Sequence, residues 1–245
     1  MEVRMNVPMK IFCAAIFCLS FFSFSFGQTE KELFKRGLTK MEAQDFEGAE
    51  LDFTLVLKLN PRNDAAYYNR GYTRMLLGDS PGAIQDFSLA LDINPANPEA
   101  YYNRGRARNN LEDFLGAMLD FNIALKAKPK DVRYYRARAK AKSGLRDYRG
   151  AIKDLDMAIR LTKGKNMDLV YDRAEAFINL KDFVSAVQDL DRVVKSRPND
   201  PSAYNARASI KLQGGDLNGA CLDWSKAGEL GDVNAYSMIR KHCNN

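Results

Sequence analysis

Apolar residues recur at helical spacing along nearly the whole chain beyond its first thirty residues. Ala83, Phe87, Ala90 and Leu91 fall at i, i+4, i+7 and i+8, the spacing of a helix that buries one face. The same group returns around Ala49, Ala117, Ala151, Ala186 and Ala220. The six alanines are therefore separated by 34, 34, 34, 35 and 34 residues. Four residues after each stands a bulky side chain: Phe53, Phe87, Phe121, Leu155, Leu190 or Trp224. Twelve residues before each stands a small one: Gly37, Gly71, Gly105, Ala139, Ala174 or Ala208. Small residues in this rhythm predict two helices crossing closely, with the bulky residue filling the space toward the next pair. A fixed period of this length predicts stacked copies of one unit, none of which buries its apolar face alone.

Polar residues punctuate the same rhythm. An aspartate precedes the second half of every copy: Asp45, Asp79, Asp113, Asp147, Asp182 and Asp216. A side-chain oxygen there caps a helix and suits its positive end. Pro61, Pro95, Pro129 and Pro198 end four of the copies, since proline lacks the amide hydrogen and keeps its predecessor out of helix. Lys163 stands in that place in the fourth copy. The irregular joint, with one added residue, is Thr162–Asn166, where the array is expected to bend or loosen.

Around these positions lie Tyr67-Tyr68-Asn69-Arg70-Gly71, Tyr101-Tyr102-Asn103-Arg104-Gly105 and Tyr135-Arg136-Ala137-Arg138-Ala139. Together with the small, bulky and proline positions, they resemble the tetratricopeptide repeat, from Glu30 to Gly231. The resemblance implies an all-α, right-handed α-solenoid of six helix pairs: residues 30–63, 64–97, 98–131, 132–166, 167–200 and 201–231. Residues 232–245 would form a closing helix. The run from Gly219, G-A-C-L-D-W-S-K-A-G-E-L-G, is also similar to Sel1-like relatives of this repeat.

A second regularity is ionic. Arg36, Arg70, Arg104, Arg138, Arg173 and Arg207 each precede the small residue. An aspartate follows sixteen positions later: Asp52, Asp86, Asp120, Asp154, Asp189 and Asp223. The commoner repeat carries an apolar residue where the arginine stands. One reading is a ladder of ion pairs between first and second helices; the other is a row of guanidiniums offered to an anionic ligand.

The beginning of the chain differs from the rest. Arg4 and Lys10 precede an almost wholly apolar run, residues 11–26, and Ser25 and Gly27 supply small residues before Gln28. That order is the order of a secretory signal peptide over residues 1–27, and the run is short of the roughly 20 residues a membrane span needs. Periplasmic or secreted location is the expectation, with an uncleaved anchor as its rival. The formal net charge of +6 is modest, and export argues against a nucleic-acid role. Removal of the leader leaves Cys221 and Cys243, eleven residues on either side of Asp232. A hairpin turning there brings them level, so they are expected to pair in an oxidising compartment; two buried free thiols are the alternative.

Catalysis finds little support. His242 is the only histidine, in a terminal, solvent-exposed setting, with no cluster around it that suggests a metal or a triad. No glycine loop is placed to hold a phosphate, and periodic aspartates read as caps and ion-pair partners. The chain is expected to be a non-enzymatic monomer without cofactor or metal. The family resemblance implies a concave groove lined by the first helices. The matching positions are Tyr68, Tyr72, Met75, Tyr102, Arg106, Asn109, Arg133, Arg136, Lys140, Tyr171 and Glu175. Rings beside cations suit an extended, acidic peptide or protein segment. No acidic residue is expected to face Arg106, Arg133, Arg136 and Lys140 there. Two functional readings remain open: an exported protein-binding scaffold, or a membrane-associated cell-envelope assembly factor tethered by a retained N-terminal segment.

Overall fold

The computed structural model describes residues 29–243. The expected signal peptide and the last two residues of the expected closing helix lie outside that range. Every regular element described is an α-helix. Their order is α1 (residues 29–42), α2 (Phe46–Leu59), α3 (Asp64–Leu76), α4 (Ser80–Ile93), α5 (Pro98–Asn110), α6 (Phe114–Ala127) and α7 (Val132–Gly144). There follow α8 (Tyr148–Leu161), α9 (Met167–Asn179), α10 (Phe183–Ser196), α11 (Pro201–Gln213), α12 (Leu217–Glu229) and α13 (Val233–His242). None of the described helices is long and apolar enough to cross a membrane. The chain divides into two compact units, one ending at Leu111 and one beginning at Glu112. Within each, consecutive helices pack on one another in chain order.

Each helix from α2 onward begins where a side chain satisfies its free amides. The six predicted aspartates cap the second helices, each accepting from the backbone amide three residues on: Gly48, Gly82, Gly116, Gly150, Ser185 or Gly219. A Cβ on any of those five glycines would run into the capping carboxylate, so the tight turn selects glycine. Ser185 is the exception, and its hydroxyl donates to Asp182 Oδ2 at 2.7 Å instead. First helices from α3 onward, and α13, are capped as well, by Asn63, Asn97, Asp131, Asn166, Asp200 and Asp232. The residue before each second-helix cap is left-handed, with φ between +60° and +89° at Gln44, Gly78, Glu112, Arg146, Lys181 and Gly215. The joint at Thr162–Asn166 turns through two left-handed residues, Lys163 and Gly164.

The small and bulky positions meet as the sequence pattern requires. A Cβ on Gly37 would stand 2.8 Å from the Phe53 ring, and one on Gly71 would stand 3.1 Å from Phe87. Phe53 and Phe87 are wholly buried, in ring contact with Phe34 at 5.6 Å and Tyr68 at 5.8 Å between centroids. In the second unit Ala139 packs in one cluster with Leu155, Ala174 with Leu190 and Ala208 with Trp224. Each bulky side chain buried this way contributes about 1.5–3 kcal/mol.

The C-terminal closure rests on α13. Asp232 caps it and accepts a hydrogen bond from Asn205 of α11. Ala235 is buried beside Trp224, and the Tyr236 hydroxyl donates to the Gly228 carbonyl at 3.1 Å. Cys221 and Cys243 come together as the hairpin argument required, with Cα atoms 5.9 Å and sulfurs 2.00 Å apart, a spacing a disulfide spans. His242 departs from the solvated setting expected of it. Its ring stacks on the buried Trp224 at 5.7 Å and 23°, because α13 folds back over α12.

Candidate functional site

The two charged regularities occupy different environments, and the ladder fixes what the other face is free to do. In the first unit Arg36 and Arg70 each grip an aspartate with two nitrogens. Arg36 Nε and Nη2 donate to Asp52 at 2.8 and 2.5 Å, and Arg70 does the same to Asp86 at 2.9 and 2.7 Å. In the second unit Arg138–Asp154, Arg173–Asp189 and Arg207–Asp223 repeat this fork at 2.5–2.8 Å. All five aspartates are at most 4 % exposed. The Arg104 and Asp120 positions fall one in each unit. The reading of these arginines as a row offered to an anionic ligand is set aside.

Each arginine from Arg70 onward also reaches back one repeat. Arg70 Nη1 donates to Thr54, Arg104 Nη1 to Ser88, Arg138 Nη1 to Asn122, Arg173 Nη1 to Asp156 and Arg207 Nη1 to Asp191. An aromatic ring of the same helix lies under each of these guanidiniums, 5.5–5.8 Å from its centre: Tyr67, Tyr101, Tyr135, Phe177 and Tyr204. A second cation one turn along the helix joins several pairs: Lys40 on Asp52, Arg74 on Asp86, Lys142 on Asp154 and Lys211 on Asp223. In the fifth copy Phe177 takes that place, and Arg192 approaches Asp189 at 3.5 Å. The planar fork suits such a three-way clamp. Hydrogen bonding from Arg36 holds the Asp52 carboxyl below the usual carboxylate range, against the opposing effect of burial.

The first-helix positions expected to bind a partner stand apart from this lattice. In the first unit Tyr68 lies half-buried on Phe87, and its hydroxyl accepts from Asn103 Nδ2 at 2.9 Å. Tyr72 and Met75 pack beside it against the Phe87 cluster. On α5, Arg106 is exposed, with its guanidinium 5.6 Å over the Tyr102 ring and Nη1 donating to Asn103 at 3.2 Å. Asn109 is buried and belongs to the packed interior more than to the surface. Among the described residues Arg106 has no ion-pair partner.

The second unit corrects the expectation of an unopposed basic patch. Arg136 Nε and Nη2 donate to the Asp172 carboxylate on α9 at 2.5 and 3.1 Å. Arg133 forms a fork on Asp131, the cap of its own helix, at 3.1 and 2.7 Å, and that contact holds the Asp131 carboxyl low. Lys140, one turn beyond Arg136, is exposed and has no ion pair among the described residues. Sequence spacing could not reveal the Arg136–Asp172 pair, because it joins neighbouring repeats through positions that do not recur. The cap at Asp131 was legible, since an Asn or Asp follows Pro61, Pro95, Pro129 and Pro198 each time.

Beyond Asp172 the face becomes hollow. Tyr171, Ala174, Glu175 and Ile178 of α9, Leu190 of α10, and Ala206, Ser209 and Ile210 of α11 line a depression of about 140 Å³. Burial raises the Tyr171 phenol above its ordinary range, helped by Glu175. Burial and then Asp172 raise the Glu175 carboxyl above its own, while Arg136 pulls it back down. Glu175 and Tyr171 were placed on the binding face from sequence; the hollow beneath them was not. Among the described residues no group of three His, Cys, Asp or Glu is placed to hold a metal ion.

The family model described as "Tetratricopeptide repeat" matches residues 34–98, 136–201 and 171–226. No curated protein matches the chain. Among solved structures it is similar to a tetratricopeptide repeat protein from Parabacteroides merdae. That likeness has 22% identity and a TM-score of 0.63, over 88% of this chain and 84% of that one. PilW, a widely conserved type IV pilus biogenesis factor, aligns at 17% identity and a TM-score of 0.72, over 86% and 99% of the two chains. YrrB, a tetratricopeptide repeat protein with an unusual peptide-binding site, aligns at 17% identity and 0.63, over 77% and 97%. At these identities the likeness is one of fold.

Proposed function

The chain belongs to the tetratricopeptide repeat family, and on that premise we propose that it is an exported, non-catalytic scaffold that holds a protein or peptide on its first-helix face. One observation carries this reading. The recurring arginines are engaged within the fold, whereas Arg106 presents exposed charge over the half-buried Tyr102 ring and Lys140 is exposed with no ion pair among the described residues. In the first unit Tyr68, Tyr72 and Tyr102 supply flat apolar area and Arg106 grips a carboxylate of an acidic segment; in the second unit Tyr171 and Lys140 do the same. Arg133 and Arg136 already hold Asp131 and Asp172, so they contribute less net charge than their number suggests. The peptide-binding site by which YrrB is described supports a peptide over a small molecule, although fold alone does not carry function.

The residues 1–27 act as a cleaved signal peptide in this reading, the working compartment is oxidising, and the Cys221–Cys243 pair is bridged there. A bridge of this loop length stabilises the last repeat by about 3 kcal/mol on the chain-entropy model. Peptide mapping of the native protein without reductant is expected to recover a linked pair; two alkylatable thiols would refute it. The apolar run at residues 11–26 sustains a second reading, a tethered envelope assembly factor. N-terminal sequencing separates the two, a start at Gln28 supporting the free protein.

The test of the binding face is a pull-down from the native host, comparing the wild-type chain with R106E and K140E. Both side chains are exposed, so folding is unaffected. Loss of the captured partner by each reversal, with K153E on α8 as the control, is the expected result. Retention by both, or equal loss in the control, would rule the face out.

A further inference from the structure

The hollow on α9–α11 has a chemistry opposite to the cations beside it. Its floor is apolar, made by Ile178, Leu190 and Ile210. Its polar rim is Glu175, Ser209 and Tyr171. No lining residue is cationic, and the Glu175 carboxylate, partly desolvated at the rim of an otherwise exposed residue, has no hydrogen bond or ion pair among the described residues. The Ser209 hydroxyl donates to the Asn205 carbonyl at 2.9 Å, which leaves its oxygen to accept. The nearest charged neighbours are Asp172 and the Arg136 that is already bound to it. A volume of about 140 Å³ holds one long side chain and excludes a folded partner.

We infer that this hollow receives a lysine or arginine side chain of the bound peptide, its aliphatic stem against Ile178 and Ile210 and its cationic head on Glu175. Such side chains bury their methylenes and keep the charge at a polar rim, which is how floor and rim are divided here. The inference rests on the peptide-binding reading and specifies it. The ligand is mixed in charge, with acidic residues toward Lys140 and one cation on α9. A peptide that is acidic throughout would place a carboxylate against Glu175, and the site would reject it.

The test uses the full chain and a phage-displayed library of random peptides. Peptides selected by the wild-type protein are expected to share one lysine or arginine. Replacing it with norleucine, which keeps the stem, should weaken binding about tenfold. E175Q should cause the same loss, without a further loss when both changes are combined, and E175R should select a glutamate or aspartate instead. Circular dichroism of E175Q is expected to match wild type, because Glu175 is exposed. Selected peptides with no common cation, bound equally by wild type and E175Q, would overturn the pocket while leaving the binding face intact. Recovery of no peptide at all would overturn both.

Discussion

Arg136 and Arg138 stand two residues apart on α7 and meet opposite surroundings. Arg138 is clamped by the buried Asp154, reaches back to Asn122 and lies over Tyr135. Arg136 points to the other face, nearly half exposed, and pairs with an Asp172 that is itself partly open to solvent. The two residues share charge, fork and distance; they differ in how much water each ion has lost. A buried fork fixes register, because a misaligned stack would strand an unpaired carboxylate in the interior. A half-exposed fork is exchangeable, since water and a ligand's own charges can replace either partner at little cost. The same residue type thus builds the array on one side of the helix and remains available on the other.

The largest test of this contrast is to remove one aspartate from each pair. D154A leaves Arg138 and Lys142 without their shared carboxylate and is expected to destabilise the protein by about 3–5 kcal/mol. D172A is expected to cost about 0–1 kcal/mol, both read from urea denaturation midpoints. Equal losses would mean that burial does not separate the two faces.

Acid titration sharpens the contrast further. The Asp52 carboxyl is held below its ordinary 3.8 by Arg36, and the Glu175 carboxyl is raised above its ordinary 4.5 by burial and by Asp172. As pH falls, Glu175 should protonate first, relieving a charge the folded state disfavours, with no loss of stability. Asp52 contributes its stabilisation fully above pH 3.8, and that contribution is lost as pH falls through its lower folded value. Carboxyl carbon shifts followed by NMR should show the two midpoints in that order. A reversed order would contradict the assignment of lattice and face.

The smallest expected effect lies at the bends. Arg146 adopts a left-handed conformation, φ +61°, where Gly78 and Gly215 stand in other copies. R146G should stabilise the second unit by about 0.5–1 kcal/mol, since the strain of roughly 1–2 kcal/mol that a side chain suffers there exceeds the added entropy of glycine. Thermal unfolding would show it, and a lower midpoint would mean that Arg146 makes a contribution beyond its backbone.

Much of the architecture was readable because a repeat states each constraint six times. Gly37 against Phe53, the capping Asp147 and the Arg138–Asp154 couple all sit at recurring offsets. The backward reach of Arg138 to Asn122 lies at another recurring offset, sixteen residues, or seventeen from Arg173 across the added residue, yet no single residue type marks it. The residue there varies among Thr54, Ser88, Asn122, Asp156 and Asp191, and only their shared ability to accept a hydrogen bond unites them. The proposed binding face was readable from sequence as a set of positions and not as chemistry. Asp172 and Glu175 act there through contacts between repeats that share no sequence pattern, so Arg136 counted as free charge, and the hollow was visible only once α9, α10 and α11 were packed.

The central claim is that the first-helix face does the binding while the ion lattice holds the array. Photo-crosslinking in the native host tests it most directly, with a photoreactive residue replacing Tyr102, Lys140 or Tyr171 on that face. Leu119 and Lys153, exposed on second helices, serve as the comparison. The account predicts that the first three positions trap a common partner and that Leu119 and Lys153 trap none. A partner captured only from Leu119 or Lys153 would contradict it.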